Sequence, residues 1–339
     1  MKHSLWLLLF FLPLWTACDS AESGDAGPDM PIGADAAPSL FPIERSDRWG
    51  YIDAEGQIVV QPEYFAALDF IGEVGPVRGR SNGSNFWGYI DAEGTLRFDL
   101  PVDEAFPFAE GLARVRIGGR HGFVDTEGRY AINPYFEQAD DFSGGLARVR
   151  LGGRYGYIDR TGGLVIEPEY LQAEPFAEGL ALFEQGDEFG YLSPDGATAI
   201  EPQFDQARSF SGGLAAVKVG DNWGFIDDTG SFLIDPQFIS AGDFGDGLAP
   251  VRTENQWEYV DSQGQRVLGP AYDEARPFAE GRAAVAVEGQ WGFIDTAGTF
   301  VRNPTFDEVD AFRGGVARVW IGERMGYIGL DGAYIWLPE

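Results

Sequence analysis

Residues Gly213 to Phe238 read GLAAVKVGDNWGFIDDTGSFLIDPQF. Ala215, Val217 and Val219 stand on alternate positions, the two-residue period of a strand with one apolar face. Gly213, Gly220, Gly224 and Gly230 interrupt the stretch, and each costs a helix about 1 kcal/mol relative to alanine. Between these breakers and Pro236 no run carries the i, i+3, i+4 apolar spacing of an amphipathic helix. The reading is a three-stranded meander. Gly-Leu-Ala-x-Val forms the first strand, a loop at Gly220-Asp221-Asn222 turns into Trp223-Gly-Phe-Ile-Asp, and a tight turn leads to Phe232-Leu233-Ile234. In that turn, Asp227-Asp-Thr-Gly230, the aspartate accepts a backbone N–H two residues on and the glycine takes a left-handed conformation.

The stretch is one copy of a unit. An aromatic-Gly pair recurs at Trp49-Gly50, Trp87-Gly88, His121-Gly122, Tyr155-Gly156, Phe189-Gly190, Trp223-Gly224, Trp257-Glu258, Trp291-Gly292 and Met325-Gly326. Seven of the eight steps are 34 residues, and the first is 38. Its extra residues fall near Arg80–Asn85, where they lengthen a surface hairpin between the first two strands. Thirty-four is also the length of a helical tetratricopeptide unit, but the glycines and prolines exclude helices. A proline closes each unit (Pro62, Pro101, Pro134, Pro168, Pro202, Pro236, Pro270, Pro304 and Pro338) and is expected to end strand pairing, because it lacks an N–H donor. Phe70, Phe108, Phe142, Phe176, Phe210, Phe244, Phe278 and Phe312 mark the crossing to the next unit and are expected in the core.

Trp-Gly-Tyr/Phe-Ile-Asp, then Gly, an apolar pair, Pro and Phe-x-x-Gly-Leu-Ala-x-Val, resembles the bacterial WG (KWG) repeat over roughly residues 39 to 339. The resemblance implies an extracytoplasmic or signalling-associated repeat module and hands over no catalytic residues. For assembly, the expectation is an all-β protein of nine tandem 34-residue three-stranded units stacked as an open β-superhelix or solenoid. A closed propeller is the alternative. Two points favour the open stack. Propellers usually have about 4–8 blades of four strands, and each terminus here completes its own unit rather than sharing one.

The N-terminus reads differently. Ser4 to Leu14 is apolar but too short to span a bilayer and suits a signal-peptide core. Leu14-Trp15-Thr16-Ala17-Cys18 resembles a bacterial lipobox, which implies a signal peptide over 1–18 and a lipidated Cys18. An ordinary secretory signal is the alternative. Residues 19–38, rich in Asp, Ala, Gly and Pro, read as a disordered acidic tether reaching on the order of 25 Å, and residues 39–339 as the repeat domain. Cys18 is the chain's one cysteine, so no internal disulfide supports the core. The implied location is the cell envelope, lipid-anchored, or else secreted.

With 54 acidic against 24 basic residues the formal net charge is −30, which excludes a nucleic-acid track and anionic head groups as partners. No cofactor, metal site or His-based triad is readable, since the only histidine of the repeats, His121, fills an aromatic slot. Three binding or catalytic readings remain. Arg114, Arg116, Arg148, Arg150 and Arg318, on the first strands, could line a groove that grips an acidic polymer, or could pair with neighbouring carboxylates. Arg78 and Arg252 hold equivalent positions. Trp49, Trp87, Trp223, Trp257 and Trp291 could stack on sugar rings, or could be core wedges that define the repeat. Glu110, Glu178 and Glu280 recur in Pro-Phe-Ala-Glu-Gly; paired carboxylates can cleave glycosides, but a residue repeated with the unit reads first as a turn element. The expectation is a monomeric, non-catalytic binding or scaffold module for a protein partner or a surface polysaccharide, with a carbohydrate-active enzyme as the alternative.

Overall fold

The computed structural model describes residues 40–81 and 83–337, so the readings on residues 1–39 (the apolar run, Cys18 and the acidic segment), and on Asn82 and Pro338, lie outside the described residues. Nine antiparallel sheets follow one another along the chain, one per repeat: residues 41–64, 66–100, 104–136, 138–170, 181–204, 206–238, 240–272, 274–306 and 308–336, here blades 1 to 9. Blade 4 shows the pattern. Leu146–Leu151, Arg154–Asp159 and Leu164–Tyr170 form the expected meander, and a short strand, Gln138–Ala139, pairs ahead of it through Gln138↔Arg150 and Ala139↔Val149. The linker between units is therefore the leading strand of the next sheet, and seven of the nine sheets have four strands. The Asp-x-x-Gly turns behave as their sequence requires: Asp53 Oδ1 accepts from the amides of Glu55 (3.1 Å) and Gln57 (2.8 Å), and Gly56 sits at φ 80°. The long first step of the repeat lengthens a hairpin, Val74–Ser81 against Ser84–Asp91.

In blade 2 the third strand, Leu96–Leu100, does stop before its proline, Pro101, but in seven other blades the proline does not end it. His121 pairs with Phe136 and Phe123 with Ile132, so Asn133, Pro134 and Tyr135 form a bulge opposite Gly122, and the ladder resumes beyond it. The same bulge explains the glycine of the aromatic-Gly pair. A Cβ at Gly156 would lie 2.5 Å from the Ile166 oxygen and 2.7 Å from the Pro168 nitrogen, and Gly122, Gly190, Gly224 and Gly292 are equally confined. Blade 7 carries Glu258 instead, and there a glycine, Gly269, occupies the facing bulge. The Glu258 side chain is 3% exposed, with its carboxylate 3.0 Å from the Arg266 Nε.

Packing between blades decides the architecture. Each apolar cluster draws on two successive sheets: Leu214, Phe225, Ile234 and Phe238 of blade 6 meet Ala241, Phe244, Val251 and Val260, which belong to blade 7 and its linker. A row of nine sheets has eight junctions and a ring has nine. There are nine clusters among the described residues, and the ninth joins Ile43 and Ile52 of blade 1 to Val316 and Tyr327 of blade 9. The Tyr327 hydroxyl donates to the Pro42 carbonyl at 2.7 Å, and Arg318 bonds Asp69 at 2.5 Å. The expected open superhelix is overturned: the sheets close into a nine-blade β-propeller. Each terminus does complete its own blade, as read from the sequence, but side-chain packing closes the ring without a shared sheet.

The wedge at every junction is the aromatic two residues beyond the aromatic-Gly slot: Tyr51, Tyr89, Phe123, Tyr157, Tyr191, Phe225, Tyr259, Phe293 and Tyr327, none more than 2% exposed. Eight of these rings meet the crossing phenylalanine of the next blade edge-on, from Phe123–Phe142 at 4.8 Å to Tyr51–Phe70 at 5.8 Å between centroids. Such pairs contribute about 0.5–1.5 kcal/mol beyond their burial. Tyr327 meets Phe41 of blade 1 at 5.7 Å. Five tyrosine hydroxyls also donate to a carbonyl in the loop that opens the next blade, as Tyr157 does to Glu174 at 2.6 Å.

Two outcomes follow from these junctions. Tyr327→Ala removes the wedge at the one junction that no peptide crosses; it is expected to cost about 3–5 kcal/mol and to raise amide exchange first in blades 1 and 9. Exchange rising evenly round the ring would contradict closure at that seam. The second outcome concerns pH. Burial pushes the phenols of Tyr51, Tyr89, Tyr157, Tyr191 and Tyr259 well above their ordinary value, and that of Tyr327 up to about 12 against the opposing pull of Arg318. An unfolded phenol titrates near pH ~10, so above that pH the unfolded chain binds fewer protons and stability falls as pH rises. In a titration followed at 295 nm, these six phenols should ionise together with loss of the native circular dichroism rather than ahead of it.

Candidate functional site

The arginines singled out in the sequence lie on the first strands, where the loops of adjoining blades converge. Arg114 of blade 3 reaches Asp141 in the loop of blade 4 at 2.9 Å, its guanidinium 3.8 Å from the Phe106 ring centre. Arg116 forms a two-pronged bond with Glu104, with Nε 2.8 Å from Oε2. Arg148 lies between Asp140 (2.5 Å) and Glu174 (3.1 Å) and also donates to the Ala173 carbonyl. Burial opposes its charge, but the two carboxylates prevail and hold its pKa above the usual value. Arg318 meets Asp69 of blade 2 and, at 3.7 Å, Asp310 of its own blade. Its reach past blade 1 shows how closely the blades approach one another there. Arg150 has no carboxylate partner among the described residues: its guanidinium lies 5.6 Å from the Tyr155 ring centre, with Nε buried and unbonded. Four of the five candidates come together in adjacent blades 3 and 4; Arg318 is three blades away.

The carboxylates of this girdle are shifted by their setting. Burial raises Glu174, opposed by Arg148; it raises Asp310, opposed by Arg318, and Asp243, opposed by Arg208. His121, half-buried in its aromatic slot, is lowered by burial and by Arg114 and Arg116.

The aromatic slots lie at the margins of the interblade clusters. Trp87 and Trp291 are buried, while Trp49, Trp223 and Trp257 are half-buried. Trp87 donates its indole N–H to the Asp103 carbonyl at 2.9 Å. The recurring glutamates brace the ring. Glu178 accepts from the amides of Gly212 and Gly213 at 2.8 and 2.9 Å, Glu280 from Gly314 and Gly315, and Glu110 from Gly145, each in the following blade. No group of three or more potential metal ligands is placed to hold an ion among the described residues.

A concavity lies elsewhere, away from these groups. Between blades 3 and 4, Arg120, Pro134, Tyr135, Glu137, Leu151 and Gly152 line a cavity of 340 Å³. The Tyr135 ring is 66% exposed. The sequence does carry a sign of it: Glu63, Glu169, Gln203, Gln237, Ala271 and Thr305 hold this bulge position in six other blades. A single aromatic among them departs from the repeat, but its exposure emerges only in the fold.

A closed ring of three- and four-stranded sheets, most of them bearing the aromatic-Gly pair, is a β-propeller built from one repeated unit. The WG containing repeat matches at residues 49–78, 87–120, 122–155, 155–188, 189–223, 223–257, 259–291 and 291–322, and the chain belongs to that family. No curated protein matches it in sequence. Among solved structures, a eukaryotic initiation factor is similar over 88% of this chain and 95% of its own, with 12% identity and a TM-score of 0.62, a likeness of fold alone. The WD40 domain of Neurospora crassa Pan2 (13% identity, 65% of this chain and 85% of that one, TM-score 0.36) is also similar. So is an uncharacterized Listeria monocytogenes EGD-e protein (9% identity, 82% and 95%, TM-score 0.41).

Arg148 and Arg150 separate a bracing role from a binding one. Arg148→Ala strands Asp140 and Glu174 half-buried and should lower the unfolding free energy by about 3 kcal/mol. Arg150→Ala leaves no carboxylate behind and should change it by no more than about 0.5 kcal/mol. Urea unfolding measures both, and equal losses would contradict the assignment.

Proposed function

We propose that this chain is an exported, non-catalytic binding propeller held at the bacterial cell envelope by a lipid on Cys18, its partner a protein or a surface polysaccharide. The observation that carries the reading is the use of the recurring charged residues. Glu110, Glu178 and Glu280, the repeated carboxylates open to a glycosidase role, accept amide hydrogens of the next blade. Arg114, Arg148 and Arg318 cross to carboxylates of other blades. Groups so engaged hold a rigid frame, on which the loops are free to vary and to bind. Export and anchoring are supported by the apolar run Ser4–Leu14, the lipobox-like segment ending at Cys18, and an acidic spacer ahead of the ring.

The test uses the full chain. Expressed in a bacterium, it should fractionate with membranes and label with radioactive palmitate, and Cys18→Ser should release it and abolish the label. Immobilised, it should retain a protein or a glycan without altering it. Hydrolysis of a retained glycan would replace the reading with that of a carbohydrate-active enzyme.

A further inference from the structure

We propose that the cavity between blades 3 and 4 is a subsite for one neutral pyranose unit of a glycan, with Tyr135 as the stacking platform and Arg120 and Glu137 as the hydroxyl-binding pair. The proposal rests on the binding-scaffold reading above and names a site and ligand class for it. Three observations carry it.

The first is the departure from repetition. The bulge gives every repeat that has it a residue just after the proline that is free to point outward, and polar or small residues fill it in the other blades. In blade 3 it is a tyrosine, two-thirds exposed, the most exposed aromatic among the described residues. Neither junction packing nor the bulge requires a ring there: the wedge of this blade is Phe123, and Phe136 fills the core beside Tyr135.

The second is rigidity. Pro134 fixes the backbone ahead of Tyr135, and the tyrosine ring stands edge-on to the buried Phe136 at 5.8 Å. Arg120 donates to the Tyr135 carbonyl at 3.4 Å. The Glu137 carboxylate accepts from Gly152 at 3.2 Å and Gly153 at 3.1 Å, which ties it to the hairpin of blade 4. The platform and both polar groups are therefore positioned before a ligand arrives, which limits the ordering cost of binding.

The third is the match of chemistry. Arg120 and Glu137 pair loosely, 3.9 Å apart, with half of the arginine side chain and about a third of the glutamate's exposed (51% and 36%). Guanidinium N–H groups and carboxylate lone pairs thus remain available. A pyranose offers a flat C–H face for the phenol and adjacent hydroxyls that donate to a carboxylate and accept from a guanidinium. One positive and one negative group select no net charge, which favours a neutral sugar over a uronate. A nucleotide would also stack, but its phosphates would approach a chain of net charge −30. The volume of 340 Å³ suits one ring, with the chain continuing into solvent.

The experiment is an array of neutral and acidic glycans probed with the detergent-purified full chain, followed by titration of the best neutral oligosaccharide into wild type, Tyr135→Ala, Arg120→Ala and Tyr130→Ala. Tyr130 is an exposed tyrosine of the same blade outside the cavity. Wild type should bind a neutral glycan. Tyr135→Ala should weaken binding roughly tenfold or more, Arg120→Ala should weaken it in the same direction, and Tyr130→Ala should leave it unchanged. Matching circular dichroism and unfolding midpoints would show that these exposed substitutions leave the ring intact. Equal binding by Tyr135→Ala, or binding confined to acidic glycans, would overturn the subsite and leave the scaffold reading standing. So would failure of every neutral glycan alongside capture of a protein by wild type and Tyr135→Ala alike. Absence of any retained glycan or protein would end both.

Discussion

Everything in this molecule depends on a buried aromatic ring that belongs to one blade and packs into the next. At each second strand a tyrosine or phenylalanine leaves its own sheet, is almost completely removed from water, and meets the phenylalanine that opens the following blade. Where the ring is a tyrosine, its hydroxyl also finds a carbonyl across the junction. A single three- or four-stranded sheet cannot bury both of its faces. Repeating the contact buries both, and the contact has a direction, so the row of blades has to end in solvent or return to its start. In this chain it returns: Tyr327 reaches Pro42 as Tyr51 reaches Pro76 at 3.2 Å.

Successive blades are also coupled through their loops. The loops before the first strands alternate between Ala-Glu-Gly in blades 3 and 5 and Ser-Gly-Gly in blades 4 and 6. The two kinds are complementary. The glutamate accepts from the glycine amides that follow, and Ser143 and Ser211 donate to the carbonyls of Phe176 and Phe244 in the blades after them. Outside blades 3 to 6 the pattern differs: blade 2 carries Ile71-Gly72-Glu73, and in blades 7 and 8 Asp246 and then Glu280 follow in succession, with Asp246 accepting from Gly281 at 2.6 Å.

Much of the candidate chemistry was legible and its use was not. Alternation along the first strand put Arg114 and Arg148 on the face opposite Ala113 and Ala147, but a strand pattern does not say whether that face meets water or a neighbouring blade. In the ring it meets a neighbour, and Asp141 and Glu174 supply the countercharge. The tryptophans drew attention as the largest rings at a fixed register, yet the wedge proved to be the residue two places on, which shares that strand face but is fully buried, while the slot residue lies at the margin of the cluster. Except in blade 2, where the strand stops before Pro101, the described prolines read as strand ends proved to sit inside a bulge, since a missing donor is tolerated wherever the ladder is already interrupted.

Local chemistry settled the unit: alternation gave the strands, Asp-x-x-Gly gave the turns, and the fixed spacing gave identical modules with the family they belong to. These properties involve residues a few positions apart, and any copy of the unit carries them. Whether nine such modules form a rod or a ring depends on the small rotation between neighbours, summed over every junction until Ile43 and Ile52 meet Val316 and Tyr327. No single unit encodes that sum. It is fixed by the thickness of the packed side chains between sheets, and so belongs to the tertiary structure, as does the exposure of Tyr135 beside a cavity that two blades share.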